Sequence, residues 1–309
     1  MANLTTIPDH YTLQFETNFQ MLLAQMDSRL KEKIKLVQAN GAAVRFNQFG
    51  TTAMTAVTTK NSATPNVDIT MPARWCYPQP VETSSIFSEF DSTFLGSVVL
   101  PTSETMQAQA AAYNRAADAA IISALTGAAT RTVPNVSNVF TANTATESVA
   151  YDTTNQQIVV NYVASGTPAN SGLTIAKLRK AKQKLDAAEA PVEDRILIVS
   201  AKEISDLLGT TEVTSNLYNS VQALVDGSVE NFLGFRVVRS ELLPVASNVR
   251  NCVAYVKGAA VLADGGKKSY MDIRPDISHA LQIRSTAVLG GVRLLDNGVV
   301  SILCDNTIG

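Results

Sequence analysis

The 309-residue chain is 46% hydrophobic and carries 25 basic against 27 acidic residues, a formal net charge of −2. That is enough apolar material for a real core, which excludes a disordered chain, and too little charge imbalance for a global pull toward nucleic acid or an anionic membrane. Apolar runs such as Ile196–Val199 fall far short of the ~20 residues that span a bilayer, and the N-terminus lacks a basic-then-apolar signal pattern, so folding in the cytoplasm is expected.

Phe15, Phe19, Leu22, Leu23, Met26, Leu30, Ile34 and Val37 recur three or four apart and predict an amphipathic helix ending near Asn40-Gly41. Residues 42–100 lose that period, with strand-like alternation in Val67–Met71. So long a connection argues against an ordinary compact domain and for a β-hairpin arm that packs on something else. Thr102 or Ser103 then caps an alanine-rich helix closed by Gly127, with Met106, Ala110, Tyr113, Ala117, Ile121 and Leu125 along one stripe. At ~1.5 Å per residue it is a rod of ~36 Å. Residues 132–172 read as polar loops with a strand signal at Ile158–Val163.

Leu173 and Leu178 bracket Thr174 at staple spacing and start a helix on Leu178, Ala181 and Leu185 that stops before Pro191. Lys177, Arg179, Lys180, Lys182 and Lys184 are assigned to its solvated opposite face. Ile196–Val199 is a buried strand, and Ser200 with Glu203 is a capping box for a short helix closed by Gly209. Strands follow at Phe235–Val238 and Cys252–Val256, a helical turn at Lys257–Ala263, and strands at Tyr270–Ile273, Ser278–Val288 and Val299–Cys304. Helices and strands mixed without a regular βαβ repeat indicate an α+β fold.

Catalytic vocabulary is sparse. Cys76, Cys252 and Cys304 show no metal-ligand or redox spacing and read as buried thiols, and His10 and His279 are the two histidines. "DGGKKS" at residues 264–269 misses the phosphate-loop pattern, because Val261 stands where a glycine is needed and Lys268 where Ser or Thr would hold magnesium, so a β-turn is the reading. Glu193 with Asp194, and Glu89 with Asp91, are the nearest carboxylate pairs, and surface or ion-pair roles suit them better than acid–base work. No enzyme, cofactor or metal site is expected; an α+β hydrolase working through carboxylates is the rival from that class. Arg74, Trp75 and Tyr77 read as an anchor where an extended arm lands on another surface, in preference to a nucleotide-stacking patch. Arg236 and Arg239 sit in an otherwise apolar strand.

Taken in order, "FETNFQMLLAQMDSRL", the Thr-rich arm, "LPTSETMQAQAAAYNRAADAAIISALTG", "GLTIAKLRKAKQKLD", "DRILIVSAKEISDLL", "FLGFRVVRSELLP" and "CVAYVKGAAVLA" resemble the major capsid proteins of tailed bacteriophages with the Hong Kong 97-type fold. The resemblance implies an N-terminal arm at 1–45, an extended loop at 46–100, a peripheral domain with a spine helix at 101–130 and 265–309, and an axial domain at 131–264. It implies an icosahedral virion shell around double-stranded DNA, built from pentamers and hexamers of this chain in the host bacterial cytoplasm. An encapsulin-like cellular compartment is the rival use of the same fold. Implied partners are a portal, DNA held non-specifically, a cement or decoration protein and, because no long charged helical extension precedes the arm, a separate scaffolding protein; no membrane is implied. On this reading Arg74, Trp75, Tyr77, Glu89, Asp91, Arg236 and Arg239 are candidate inter-subunit contacts, and Asn216, Tyr218 and Asn219 a candidate capsomer-axis loop. Arg236 and Arg239 could equally pair within the chain, with Glu230 or Glu241.

Overall fold

The computed structural model describes residues 25–60, 63–64, 71–88, 102–132, 146–209 and 231–307. In chain order its strands are β1 (Lys35–Gln38), β2 (Val44–Asn47), β3 (Ala73–Cys76), β4 (Gln79–Phe87), β5 (Ala129–Thr132), β6 (Thr146–Val149), β7 (Gln157–Ile158) and β8 (Arg195–Val199). They continue with β9 (Asn231–Phe232), β10 (Phe235–Arg239), β11 (Val245–Ala246), β12 (Val249–Val256), β13 (Ala260–Arg274), β14 (Ala280–Arg293) and β15 (Val299–Asp305). The helices are α1 (Thr102–Thr126), α2 (Ile175–Ala187) and α3 (Ala201–Gly209).

The centre is built on β8, whose five residues are all buried, as befits a strand covered on both faces. It pairs in parallel with β10 and antiparallel with β12, giving a sheet ordered β7-β15-β12-β8-β10-β9, with β11 attached to β12. Thr174 caps α2 by accepting from the Lys177 N–H at 3.3 Å, and Leu178, Ala181 and Leu185 go into the core. Glu203 reaches back to the Ser200 N–H at 3.2 Å, the predicted capping box at the start of α3. A second sheet, β1-β13-β14-β4, carries α1 across it, and a third, β2-β3-β5-β6, is small. Ala117, Ile121, Ile122 and Leu125 of α1 join the core of the first sheet, so one apolar cluster links α1, α2, α3 and the central strands. Gly291 permits the close seating of α1 on β14, since a Cβ there would lie 2.6 Å from the Ala124 Cβ and 2.8 Å from the Ala120 carbonyl oxygen.

Several expectations are corrected. The predicted helix through Asn40 is a single 3₁₀ turn at Lys31–Lys33 followed by β1, which pairs in parallel with β13; residues 15–24 lie outside the described set. Leu30 and Ile34 are buried as their spacing suggests, but a sheet edge with open hydrogen-bonding groups outweighs helical propensity for Lys35–Gln38. The arm at 42–100 is not wholly projecting: β3 and β4 pair with β2, β5 and β14 of the same chain. Of Val67–Met71, only Met71 is described, and it is not in a strand. Ala260–Ala263 is strand, not helical turn, and in place of a β-turn at 264–269 the strand β13 runs on with a bulge between Asp264 and Lys267, where Gly266 takes φ +81°. The signal at Ile158–Val163 shrinks to β7, and His279 sits at φ +52° in the turn between β13 and β14.

Candidate functional site

Among the described residues no group of three or more His, Cys, Asp or Glu side chains could hold a metal. The three thiols are buried and unbridged. Burial pushes Cys76 up to about 11, and a hydrogen bond with Cys304 together with burial raises Cys252, so neither supplies a thiolate at neutral pH. What the side chains do instead is fasten the chain's long excursions to its centre.

Asp118 is the first fastening and was not singled out from the sequence. It is fully buried on α1 and accepts from Gln25 Nε2 at 2.5 Å, Ser28 Oγ at 2.5 Å, and the Arg29 and Leu30 N–H groups at 3.0 and 3.2 Å. It therefore fixes where the N-terminal stretch joins the fold. The signal that could have found it is a lone carboxylate beside Ala117 in the alanine-rich part of α1. Lys31 makes the second fastening, donating to Asp264 at 2.6 Å and to the Tyr113 hydroxyl at 2.9 Å, while Tyr113 donates to Asp264 at 2.6 Å. Burial alone would push the Asp264 carboxyl up, but Lys31, Tyr113 and the Gly266 N–H together hold it below the usual aspartate value. Burial also pulls Lys31 down, and Asp264 and Tyr113 more than offset it.

Arg293, fully buried, donates to the Leu125 and Gly127 carbonyls at 3.1 and 2.7 Å and so satisfies the C-terminal end of α1. Its Nε donates to Asp296 at 2.8 Å, its guanidinium lies 5.1 Å from the Tyr151 ring centre, and Asp296 also pairs with Arg74 at 2.5 Å. This corrects the assignment of Arg74: it is buried and pairs within its own chain, because β3 sits inside a sheet. Trp75 is likewise engaged at home, donating to Thr132 Oγ1 at 3.0 Å with Arg45 5.6 Å from its ring. Tyr77 is exposed.

Lys177 overturns its place on the solvated face of α2. It is fully buried, and its ammonium, with three N–H groups to share, lies 2.7–3.0 Å from the carbonyl oxygens of Val160, Ser171, Gly172 and Leu303. Four residues before Ala181, its stem follows the helix surface back toward the N-terminus and reaches the loop and β15. Burial pulls its pKa below the ordinary lysine value, with more distant thiols and carboxylates acting the other way.

The remaining predicted contacts divide in two. Arg236 and Arg239 lie exposed on β10, the Arg239 carbonyl accepting from Arg29 at 2.8 Å; Glu241 is occupied by Arg250, also at 2.8 Å. Glu89, Asp91, Asn216, Tyr218 and Asn219, with Glu230, lie outside the described residues. A surface that sequence reasoning did not resolve lies between β2 and β3. Residues 51–60 are exposed throughout, with Phe49 76% and Val57 74% exposed and Met54 fully so. Three large apolar side chains thus stand bare on a segment without regular structure.

A family model for phage capsid protein matches residues 7–306. The chain belongs to the phage capsid protein family. Among solved structures, this capsid protein is similar to a chain from the capsid of Helicobacter pylori bacteriophage KHP30, at 11% identity and TM-score 0.70 over 99% of each chain. It is similar to the capsid asymmetric unit of cyanophage Pam1, at 12% identity and TM-score 0.70 over 99% of each. A chain of Mycobacterium phage Che8 aligns at 17% identity and TM-score 0.61 over all of both chains. No curated protein sequence matches. These likenesses give the α+β architecture as the Hong Kong 97-type fold, and the family gives the role: a structural, shell-forming major capsid protein of the virion. No helix among the described residues is long and apolar enough to cross a membrane.

Proposed function

We propose that this capsid protein closes, as pentamers and hexamers, into an icosahedral shell around a double-stranded DNA genome, and that the segment carrying Phe49, Met54 and Val57 lies against a neighbouring subunit. The observation that carries this is the contrast between a filled core and three large apolar side chains left 74% exposed or more on one segment. Burying such a side chain is worth about 1.5–3 kcal/mol, a modest sum per contact that repetition over a closed shell makes durable.

On this reading the arm is residues 1–45, the extended loop 46–100, the peripheral domain 101–130 with 265–309, and the axial domain 131–264. Tyr77, Glu89, Asp91, Arg236 and Arg239 remain candidate contact residues, and Asn216, Tyr218 and Asn219 the candidate axis loop. A separate scaffolding protein, a portal and a decoration protein complete the assembly in the host cytoplasm. Negative-stain microscopy and light scattering of the expressed chain, with and without its scaffold, test the reading. Closed particles holding nucleic acid are expected; a monomer under every condition, or particles filled with a protein cargo, would overturn it.

A further inference from the structure

β4 is the last strand of its sheet: among the described residues its nine residues pair with β14 on one side and leave the N–H and C=O groups of the other side open. Pro80 and Glu82 guard that edge against indiscriminate pairing. Beside it lies a crevice of about 80 Å³ between α1 and the sheet, walled by Val81, Ala112, Tyr113, Ala116 and Ala287. The crevice exists because α1 presents alanines here, while Gln109 spans the gap to the Ile283 carbonyl at 2.9 Å and to Ser285 Oγ at 2.8 Å. An apolar hollow of this kind is a poor home for water and a good one for an apolar side chain. β4 offers apolar contacts on both faces: Val81, opposite Ala287 on the α1 face, is 38% exposed, and Ile86, opposite Gln282 on the other face, is 48% exposed.

The exposed stretch 49–57 is the complement of this edge. It also has nine residues, three of them the β-favouring Thr51, Thr52 and Thr55, and it pairs with no strand among the described residues. Laid antiparallel to β4 with Met54 opposite Val81, it brings Phe49 opposite Ile86, because each step back from Met54 is a step forward from Val81. Met54 and Phe49 are an odd number of residues apart, so they point to opposite faces, as Val81 and Ile86 do. A slip of one residue would turn both away from their partners.

We propose that Phe49–Val57 of one copy adds to β4 of a neighbouring copy as an antiparallel strand in this register, with Met54 in the crevice beside Tyr113 and Phe49 over Ile86; this rests on the neighbour contact proposed above and says where that contact lands. The occupant is a second copy, because within one chain the stretch stands exposed while the β4 edge beside the crevice stays bare. Backbone hydrogen bonds supply the attachment, and the two side-chain positions fix its register. An aromatic side chain buries about 150–250 Å², so three apolar side chains and their backbone bury on the order of several hundred Å², below the ~1,200 Å² of the smallest stable pairwise interfaces. Free subunits therefore stay apart, and the contact holds where a closed shell repeats it.

The test is Thr52→Cys with Thr83→Cys in the full-length chain, assembled with its scaffold and oxidised with diamide, which takes up the two thiol hydrogens as a disulfide forms. The register sets these positions directly opposite each other, and such strand residues have Cα atoms about 4.5–5.5 Å apart, within disulfide reach. Closed particles should run as a ladder of linked multimers on a non-reducing gel. Roughly fivefold or more should link than in Thr52→Cys with Ser84→Cys, whose side chains point to opposite faces. Should the first pair fail to assemble, Thr51→Cys with Ser84→Cys reads the same register. None of these positions carries the apolar contact, so particles lost from both pairs while the wild type closes count against the proposal. Closed shells without a ladder, equal linking in the matched and mismatched pairs, or a disulfide that only shifts the monomer band overturn it and leave the shell reading standing. A wild type that never closes, or shells that persist in the combined Phe49→Ser, Met54→Ser and Val57→Ser variant, sinks the neighbour contact itself and this inference with it.

Discussion

β8 and the segment from Phe49 to Lys60 use apolar residues in opposite ways. In β8, Ile196, Leu197, Ile198 and Val199 are all but inaccessible, flanked by β10 and β12 and part of the core cluster they share with all three helices. In the other segment Phe49, Met54 and Val57 stand out from the chain. The first arrangement makes one subunit stable by itself, and the second contributes nothing to it. On the proposed reading, folding and assembly are drawn from different parts of the chain, and substitutions should separate them.

The largest effect is expected in the centre. Leu197→Asp places an unpaired carboxylate in a strand without solvent on either face, and the subunit should be insoluble on expression, read by the soluble fraction. Next comes Lys177→Met, which keeps much of the stem and strips four carbonyls of their donor; a loss of about 2–4 kcal/mol in urea unfolding is predicted. Smaller still is Asp264→Asn at the junction of β1, α1 and β13, at about 1 kcal/mol near neutral pH. Asp264 titrates below the usual aspartate value in the folded state, so its contribution is present above the unfolded pKa and is lost as pH falls through the folded one. The difference in stability between wild type and Asp264→Asn should therefore shrink on acidification, and a difference that grows would contradict the ion-pair account.

The same contrast explains what could be read from sequence. Elements specified by nearby residues were legible: the capped helix on Leu178, Ala181 and Leu185, the Ser200–Glu203 box, and the buried strand after it. Elements decided by distant partners were not. Lys35–Gln38 becomes a strand because β13 offers it an edge more than 200 residues later in sequence, and the bulge at Asp264–Lys267 exists because β13 continues past it along β14. Lys177 reads as one more cation on a charged helix, since nothing local announces that the Val160 and Leu303 carbonyls join those of Ser171 and Gly172 around its ammonium. Arg74 and Trp75 read from sequence as anchors onto another surface, yet their attachments are to Asp296 and Thr132 of the same chain. Asp118, a solitary acid beside an apolar stripe, carries a readable sign of a tether.

The smallest effect on the isolated subunit should come from the exposed segment, and it decides the account. Phe49→Ser, Met54→Ser and Val57→Ser combined should leave the urea midpoint of the subunit within about 0.5 kcal/mol of wild type while abolishing closed particles in the electron microscope. Particles that still close normally, or a subunit that unfolds without those three side chains, would contradict the claim that this segment serves a neighbour.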